Sequence, residues 1–368
     1  GDGVEEYIVF AQGSSANPLQ VLIFRQEEDG TCRLMEVIQS NGSAFEQVEY
    51  VQMDDAPGYE LVVGRQLSDQ VLRSVSVYSF SSGSAEQLMM VGYSKFITCD
   101  LNDDGCSELM VILPGESETG TGSAVLYRMQ DGNIERSVEV NVSEDATHIR
   151  RITVGRLLGG TPAVFVASAV NNSAIVTDVF AWRNDRFSNI SYSRDSDTSV
   201  QTLRNYYVYA EDIDGDGVME LPSLITMKRV FPEQEGKQKC LIRWFAMDLE
   251  GREMDKLFTF HNYLGGWYMQ LASSWAARVS VDQDGGRYTF YVWDEDYRQA
   301  LDVFSIYALT GGSREEDATV DGRFAFYRAE GVVYAAKLEA NAAEFGITEN
   351  QLINSFHLIR QDWKTGET

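Results

Sequence analysis

Histidine is nearly absent from this chain, with three copies in 368 residues, and cysteine is scarce, with four. The cysteines, Cys32, Cys99, Cys106 and Cys240, form no C-x-x-C pair. A zinc centre built from closely spaced Cys and His ligands is therefore excluded. Cys99 and Cys106 bracket an acidic loop, and free thiols are the preferred reading over a bridge. Basic residues are also short, 30 against 56 acids, for a net charge of −26. Nucleic acid and anionic membrane surfaces both demand a basic face, so neither is expected as a partner. Apolar runs stay well below the ~20 residues that cross a bilayer. No Gly-x-Ser-x-Gly, His-Glu-x-x-His, P-loop or dinucleotide-binding fingerprint occurs. His148, His261 and His357 read as structural histidines, and the run Asp294, Glu295, Asp296 as a solvated hairpin end rather than an acid/base pair.

Apolar residues, by contrast, make up 44% of the chain and aromatics 11%, enough for a sizeable core. A repeat organises them. Asp212, Asp214, Asp216, Gly217, Glu220 and Leu221 share their spacing with Asp100, Asn102, Asp104, Gly105, Glu108 and Leu109. A third copy keeps Asp54, Gly58, Glu60 and Leu61, and a fourth keeps only the length and the glycines Gly159 and Gly160. The first residues, Asp2, Gly3 and Glu6, match the back half of the same motif, so the innermost strand of the first unit is expected upstream of Gly1. The last loop positions, Glu6, Glu60, Glu108, Ala163 and Glu220, are 54, 48, 55 and 57 residues apart. An aromatic follows each: Phe24, Tyr78, Tyr127, Trp182 and Trp244, at offsets of 18, 18, 19, 19 and 24.

Each unit reads as four strands: one before the loop, such as Tyr206 to Ile213, one after it, and then a hairpin with a Gly-, Asp- or Ser-rich turn. Four strands in about 50 residues, repeated, predict the blades of a β-propeller. The expected architecture is thus mainly β: a five-bladed-type propeller of four-stranded repeats over residues 1–261, then a small α+β domain over 262–368. In the second region Thr348 and Gln351 form a capping box for a helix whose buried face would carry Leu352, Phe356, Ile359 and Trp363. The competing reading makes 262–368 two further blades of a single seven-bladed ring.

At these loops the chain resembles the FG-GAP and VCBS repeat proteins, and most of all surface lipoproteins of Gram-positive bacteria. The resemblance covers residues 1 to about 260. It implies a propeller, calcium and an extracytoplasmic location, with membrane attachment only through a lipid anchor upstream. It implies no particular ligand, because function on this fold is set by local sites.

Carboxylates alternating along a tight loop suit calcium, which takes six to eight oxygens. The expected ligands are Asp212, Asp214, Asp216, the Val218 carbonyl and Glu220 in one loop, and Asp100, Asn102, Asp104 and Glu108 in another. The same residues also stabilise tight turns without a metal. Calcium is expected to be structural, and repeats two and four to be metal-free. Trp267, Tyr268, Trp275 and Trp293 are candidate sugar-stacking rings if two or more share an exposed groove, against the alternative of core packing. The leading expectation is a non-catalytic cell-surface or secreted binding or scaffold protein, monomeric, with an unknown protein or glycan partner. The alternatives are a polysaccharide-acting enzyme or carbohydrate-binding module, and a structural spacer.

Overall fold

A computed structural model of the chain describes residues 6–13, 19–67, 73–115, 121–144, 146–171, 174–184, 186–231, 238–275, 277–296 and 298–360. Asp2, Gly3, Asp185 and Trp363, on which parts of the sequence reading rest, lie outside them. The protein is mainly β. Its described residues form six antiparallel sheets, and the first five follow the five repeats one for one.

Sheet 1 comprises Glu6–Gln12, Leu19–Gln26 and Cys32–Ser40. Sheet 2 comprises Ala44–Val51, Glu60–Gln66, Arg73–Ser79 and Glu86–Gly92. Sheet 3 holds Lys95–Cys99, Glu108–Pro114, Thr121–Gln130 and Asn133–Asn141. Sheet 4 holds Ala146–Arg156, Pro162–Val170, Ala174–Arg183 and Arg186–Asn189. Within each, consecutive strands are neighbours. Sheet 1 has three strands among the described residues.

The middle strands are covered on both faces. Pro162–Val170 is buried at every position, and its valines and Phe165 suit a doubly packed strand. Outer strands such as Asn133–Asn141 alternate between exposed and half-buried positions, which suits a last strand open to water. Apolar layers join successive sheets. Val21, Leu61, Val63 and Tyr78 fill the layer between sheets 1 and 2. Val62, Val77, Phe96 and Val111 fill the next. Met110, Leu126, Val164 and Phe180 fill that between sheets 3 and 4. Sheets stacked face to face in sequence order are how propeller blades bury surfaces that one four-stranded sheet leaves open.

Behind sheet 4 a buried carboxylate ties down the segment that follows. Asp178 is wholly buried and accepts from Ser143 N (3.0 Å), Ser143 Oγ (2.8 Å), Ser199 Oγ (2.6 Å) and Asn189 Nδ2 (2.9 Å). Four donors satisfy a charge that burial alone would make costly.

The aromatic markers have a structural meaning, with a correction. Phe24, Tyr78 and Tyr127 pair with Tyr7, Leu61 and Leu109, each the residue after the anchor Glu. Beside each, the pairing with the outer strand slips by one residue, a β-bulge. In repeats four and five the residues in that register are Phe180, opposite Val164, and Phe245, opposite Leu221, rather than Trp182 and Trp244. The bulge in repeat five again falls next to this aromatic, between Trp244 and Phe245.

Two further expectations change in the C-terminal half. The chain divides into two compact units, Gly1–Leu203 with Leu249–Gly251 and Arg204–Asp248 with Arg252–Thr368. A boundary at 261/262 would cut sheet 5. That sheet comprises Glu220–Thr226, Cys240–Met247, Glu253–Asn262 and Trp267–Leu271, and is extended by Phe356–Leu358. Its core is continuous with that of sheet 6, where Phe260, Trp267, Phe290 and Phe356 meet in one aromatic cluster. Sheet 6 runs Val279–Asp284, Arg287–Trp293, Ala300–Thr310, Val332–Leu338 and Phe324–Ala329 in spatial order. Among the described residues, those from 262 onward thus supply outer strands to sheet 5 and one further five-stranded sheet. The strand expected over Tyr206 to Ile213 shrinks to a single bridge, Glu211 to Glu220. Nearby, the buried Arg204 takes the Val208 carbonyl for its own Nε–H at 2.6 Å, so that acceptor is lost to a ladder.

The capping box forms as expected, with Thr348 N donating to Gln351 Oε1 (2.8 Å) and Gln351 N to Thr348 Oγ1 (3.3 Å). The helix, however, stops at Ser355. Phe356 adopts extended backbone and packs on Trp267, ring centroids 5.6 Å apart, and burial of that ring outweighs continuing a seven-residue helix.

Candidate metal centre

The anchor glutamates explain why the loop length survives where the acids do not. Glu60, Glu108 and Glu220 each open the strand after a loop, and each is buried. Each turns one carboxylate oxygen back to a backbone N–H seven residues earlier: Met53 N to Glu60 Oε2 (3.1 Å), Leu101 N to Glu108 Oε2 (2.9 Å) and Ile213 N to Glu220 Oε2 (3.0 Å). The spacing is thus a hydrogen-bonding requirement, met whether or not a metal is held. In repeat four, where Ala163 replaces the glutamate, the loop closes on itself through Leu157 N to Thr161 O (2.9 Å) and Gly160 N to Leu157 O (2.9 Å).

The loop from Asp212 to Glu220 brings three acids together. Asp212 accepts from Gly215 N (2.8 Å), Asp216 N (3.0 Å) and Gly217 N (2.9 Å), so its carboxylate is the hub of the turn. Gly215 and Gly217 have φ of +77° and +87°, a conformation that a side chain would strain. Asp216 Oδ1 accepts from Val218 N at 2.9 Å, so Val218 is tied in by its N–H. Carboxylate oxygens of Asp212, Asp214 and Asp216 lie within 4.8 Å of one another. Glu220 closes the cluster from below. Its Oε1 is buried and has no hydrogen-bond partner. Lys256 reaches in from the outer strand and bonds Asp216, with Asp214 Oδ2 at 3.6 Å and Glu220 Oε1 at 3.9 Å from its Nζ.

Titration follows from this arrangement. Burial, aided by Asp214 and Asp216, pushes Glu220 up to about 7, against the opposing pull of Ile213 N–H and Lys256. The hydrogen bond from Lys256 holds Asp216 below the usual carboxylate range. The cluster carries more negative charge than one ammonium balances. The donor set, hard oxygens on a glycine-permitted turn, fits calcium.

The loop from Asp100 to Glu108 is arranged differently, and the expected role of Asn102 changes. Its Oδ1 accepts from Asp104 N at 2.9 Å, while its Nδ2 donates to Asp104 Oδ2 (2.8 Å) and Glu108 Oε1 (3.0 Å). Arg128 adds a guanidinium, 3.4 Å from Glu108 Oε1 and 3.5 Å from Asp104 Oδ2. Asp100 accepts from Asp104 N (3.2 Å) and Gly105 N (2.9 Å). Side-chain donors occupy the oxygens here. A pocket of about 240 Å³ opens beside this loop toward that of repeat two, lined by Asp54, Asp55, Asp104, Cys106, Glu108 and Arg128 among others. All four cysteines are free. Burial, with the Glu108 charge nearby, pushes the Cys99 thiol up to about 12, which makes it inert.

The aromatic candidates do not form a groove. Trp267 and Trp293 are buried. Tyr268 lies between His261 and His357, with ring centroids 4.9 Å from each. Trp275 is half-buried against Phe345. Trp267 also meets Tyr288 of sheet 6, ring centroids 5.1 Å apart.

No protein-family model and no curated protein matches the chain. Solved structures do match it. The exotype rhamnogalacturonan lyase YesX is 11% identical with a TM-score of 0.36, over 82% of this chain and 76% of that one. Rhamnogalacturonan lyase YesW gives 11% and 0.36, over 91% and 85%. A Bacillus licheniformis rhamnogalacturonan lyase gives 10% and 0.34, over 100% and 86%. Three of the matched structures are rhamnogalacturonan lyases, and this finding runs against the expectation of a non-catalytic binding or scaffold protein. At these TM-scores the likeness is one of β architecture and carries no argument for a shared activity.

Sequence reasoning missed Lys256 and Arg128, the two cations that meet the acid loops. Lys256 is the extra residue of the repeat-five bulge, unpaired between Asp255, opposite Phe245, and Leu257, opposite Trp244. Bulges re-aim side chains, and the bulge register is invisible until the strands are paired.

Proposed function

We propose that this chain is a calcium-binding, propeller-type β protein that takes the ion in the loop from Asp212 to Glu220. The observation that carries the reading is the buried Glu220 Oε1, which lacks a hydrogen-bond partner and lies under three converging carboxylates. A buried carboxylate oxygen without a hydrogen bond is costly, and a divalent cation would satisfy it. Asp212, Asp214, Asp216 and Glu220 are the side chains that would hold the ion, and its role is to fix the loop against the first strand of sheet 5. Sheets 1 to 5 are read as propeller blades, in keeping with the FG-GAP and VCBS resemblance. An extracytoplasmic location, where free calcium is plentiful, goes with that reading. Thermal unfolding with calcium and with chelator tests it. At a hundredfold excess over Kd the ion adds about 2.7 kcal/mol, a rise of a few degrees in Tm for a chain of this size. Superimposable melting curves would refute the proposal.

Action on a polysaccharide is the alternative that stands once the scaffold reading is withdrawn. Release of new reducing ends from rhamnogalacturonan and related polymers, with calcium present, is its direct assay. Absence of both release and binding would remove it.

A further inference from the structure

The calcium reading leaves Lys256 unexplained, and its placement suggests more than a surface ion pair. It stands at the bulge of the outer strand, where the slip in pairing frees one residue from the ladder. The equivalent bulge residues in the first three sheets are Met35, Leu88 and Ser137, none of them charged. Only 13% of the Lys256 side chain is exposed. Its ammonium meets Asp216 directly and lies 3.6 Å from Asp214 Oδ2 and 3.9 Å from Glu220 Oε1. Those are three of the four carboxylates that would hold the ion. Glu220 Oε1 is shut off from solvent in this arrangement, so an ion cannot reach it without movement of what covers it. In repeat three the same space is filled by fixed groups, the Asn102 amide and the Arg128 guanidinium, which together donate to or flank Asp104 and Glu108.

We propose that Lys256 is a resident counter-cation of the Asp212–Glu220 loop, which keeps the acid cluster folded without metal and must be displaced for a divalent ion to enter. The inference rests on the calcium reading of that loop. It makes the site an exchange between a tethered monovalent ammonium and a free divalent ion. Its consequence is a deliberately moderated affinity: the loop is stable when calcium is scarce and loads only when the ion outcompetes the lysine. A tethered cation so close to the ligands opposes a second positive charge strongly.

The test is calorimetric calcium titration of the full chain in three forms: wild type, Lys256→Met and Lys256→Gln. Methionine keeps most of the stem that crosses the strand, and glutamine covers the case in which the methionine variant does not fold. With the ammonium gone, calcium affinity should rise on the order of tenfold or more, while the metal-free variant should melt below the wild type. Binding to a lysine variant but not to wild type would support the same conclusion in its strongest form. Equal or weaker affinity in variants that fold and bind calcium would overturn the role of Lys256 and leave the calcium site standing. No calcium uptake by any of the three would overturn the site itself, and the inference with it.

Discussion

Replacing His261 with phenylalanine should flatten the acid side of the stability profile of the unit that contains sheets 5 and 6. His261 is 7% exposed and lies in the Glu253–Asn262 strand, stacked on Tyr268. Burial holds its imidazole down to about 3, against an ordinary value of 6.5. The sign follows from proton counts. Between those two values the unfolded chain binds a proton at this residue and the native chain does not, so stability is complete above about pH 6.5 and is lost as pH falls toward 3. At 1.36 kcal/mol for each pH step, the whole window is worth roughly 3–5 kcal/mol, a large share of the 5–15 kcal/mol that a domain has. Glu60, Glu108 and Glu220 act in the opposite sense, because burial raises them and the native state then holds their protons more tightly. They are common to both proteins and cancel in the difference. Urea unfolding followed by tryptophan fluorescence suits the measurement, since Trp244, Trp267, Trp275 and Trp293 all belong to this unit. The wild-type free energy should fall with acid more steeply than that of His261→Phe from about pH 6.5 downward. Parallel curves for the two proteins would refute the burial argument.

The glutamate staple makes a second prediction: Glu60→Ala leaves Met53 N–H buried without its acceptor and should cost about 1–3 kcal/mol by denaturant unfolding; a neutral result would show that the loop holds itself. Asp178→Ala strands four donors behind sheet 4 and should cost roughly 3–5 kcal/mol in the unit of sheets 1 to 4, whereas a loss within a few tenths would mean that water replaces the carboxylate. Gly64→Ala would place a methyl group 2.6 Å from Phe96 Cε1 and 2.7 Å from Tyr93 Oη, overpacking that costs about 1–3 kcal/mol and should show as a lower Tm.

How far the sequence was legible varies by element. The anchors Glu6, Glu60, Glu108, Ala163 and Glu220 each fall in a strand of a different sheet, and at Glu60, Glu108 and Glu220 the carboxylate accepts from a backbone N–H seven residues earlier, which constrains the spacing even where other acids have gone. The turn at Gly285 was legible for a similar local reason, since its φ of +58° favours glycine. What failed was non-local. Trp182 and Trp244 were preferred over Phe180 and Phe245 because offset alone cannot see which residues pair. The boundary at 261/262 failed because the loss of the loop motif was read as the end of a structural unit, whereas Trp267–Leu271 and Phe356–Leu358 complete sheet 5 from beyond it. The candidate sugar-binding aromatics pack against residues distant in sequence, as Trp267 does against Tyr288 and Phe356 and Tyr268 against His357, which their clustering in sequence does not show. The two acid loops read alike in sequence, because Arg128 and Lys256 reach them from other strands through contacts that no local pattern encodes.

The most direct test of the central claim is the calcium content of the purified full chain at equilibrium, compared with Asp214→Asn/Asp216→Asn. A single calcium per wild-type chain and none in the double variant is expected, since in the loop of repeat three Asn102 and Arg128 already meet Asp104 and Glu108. Equal calcium in both proteins, or none in either, would contradict it.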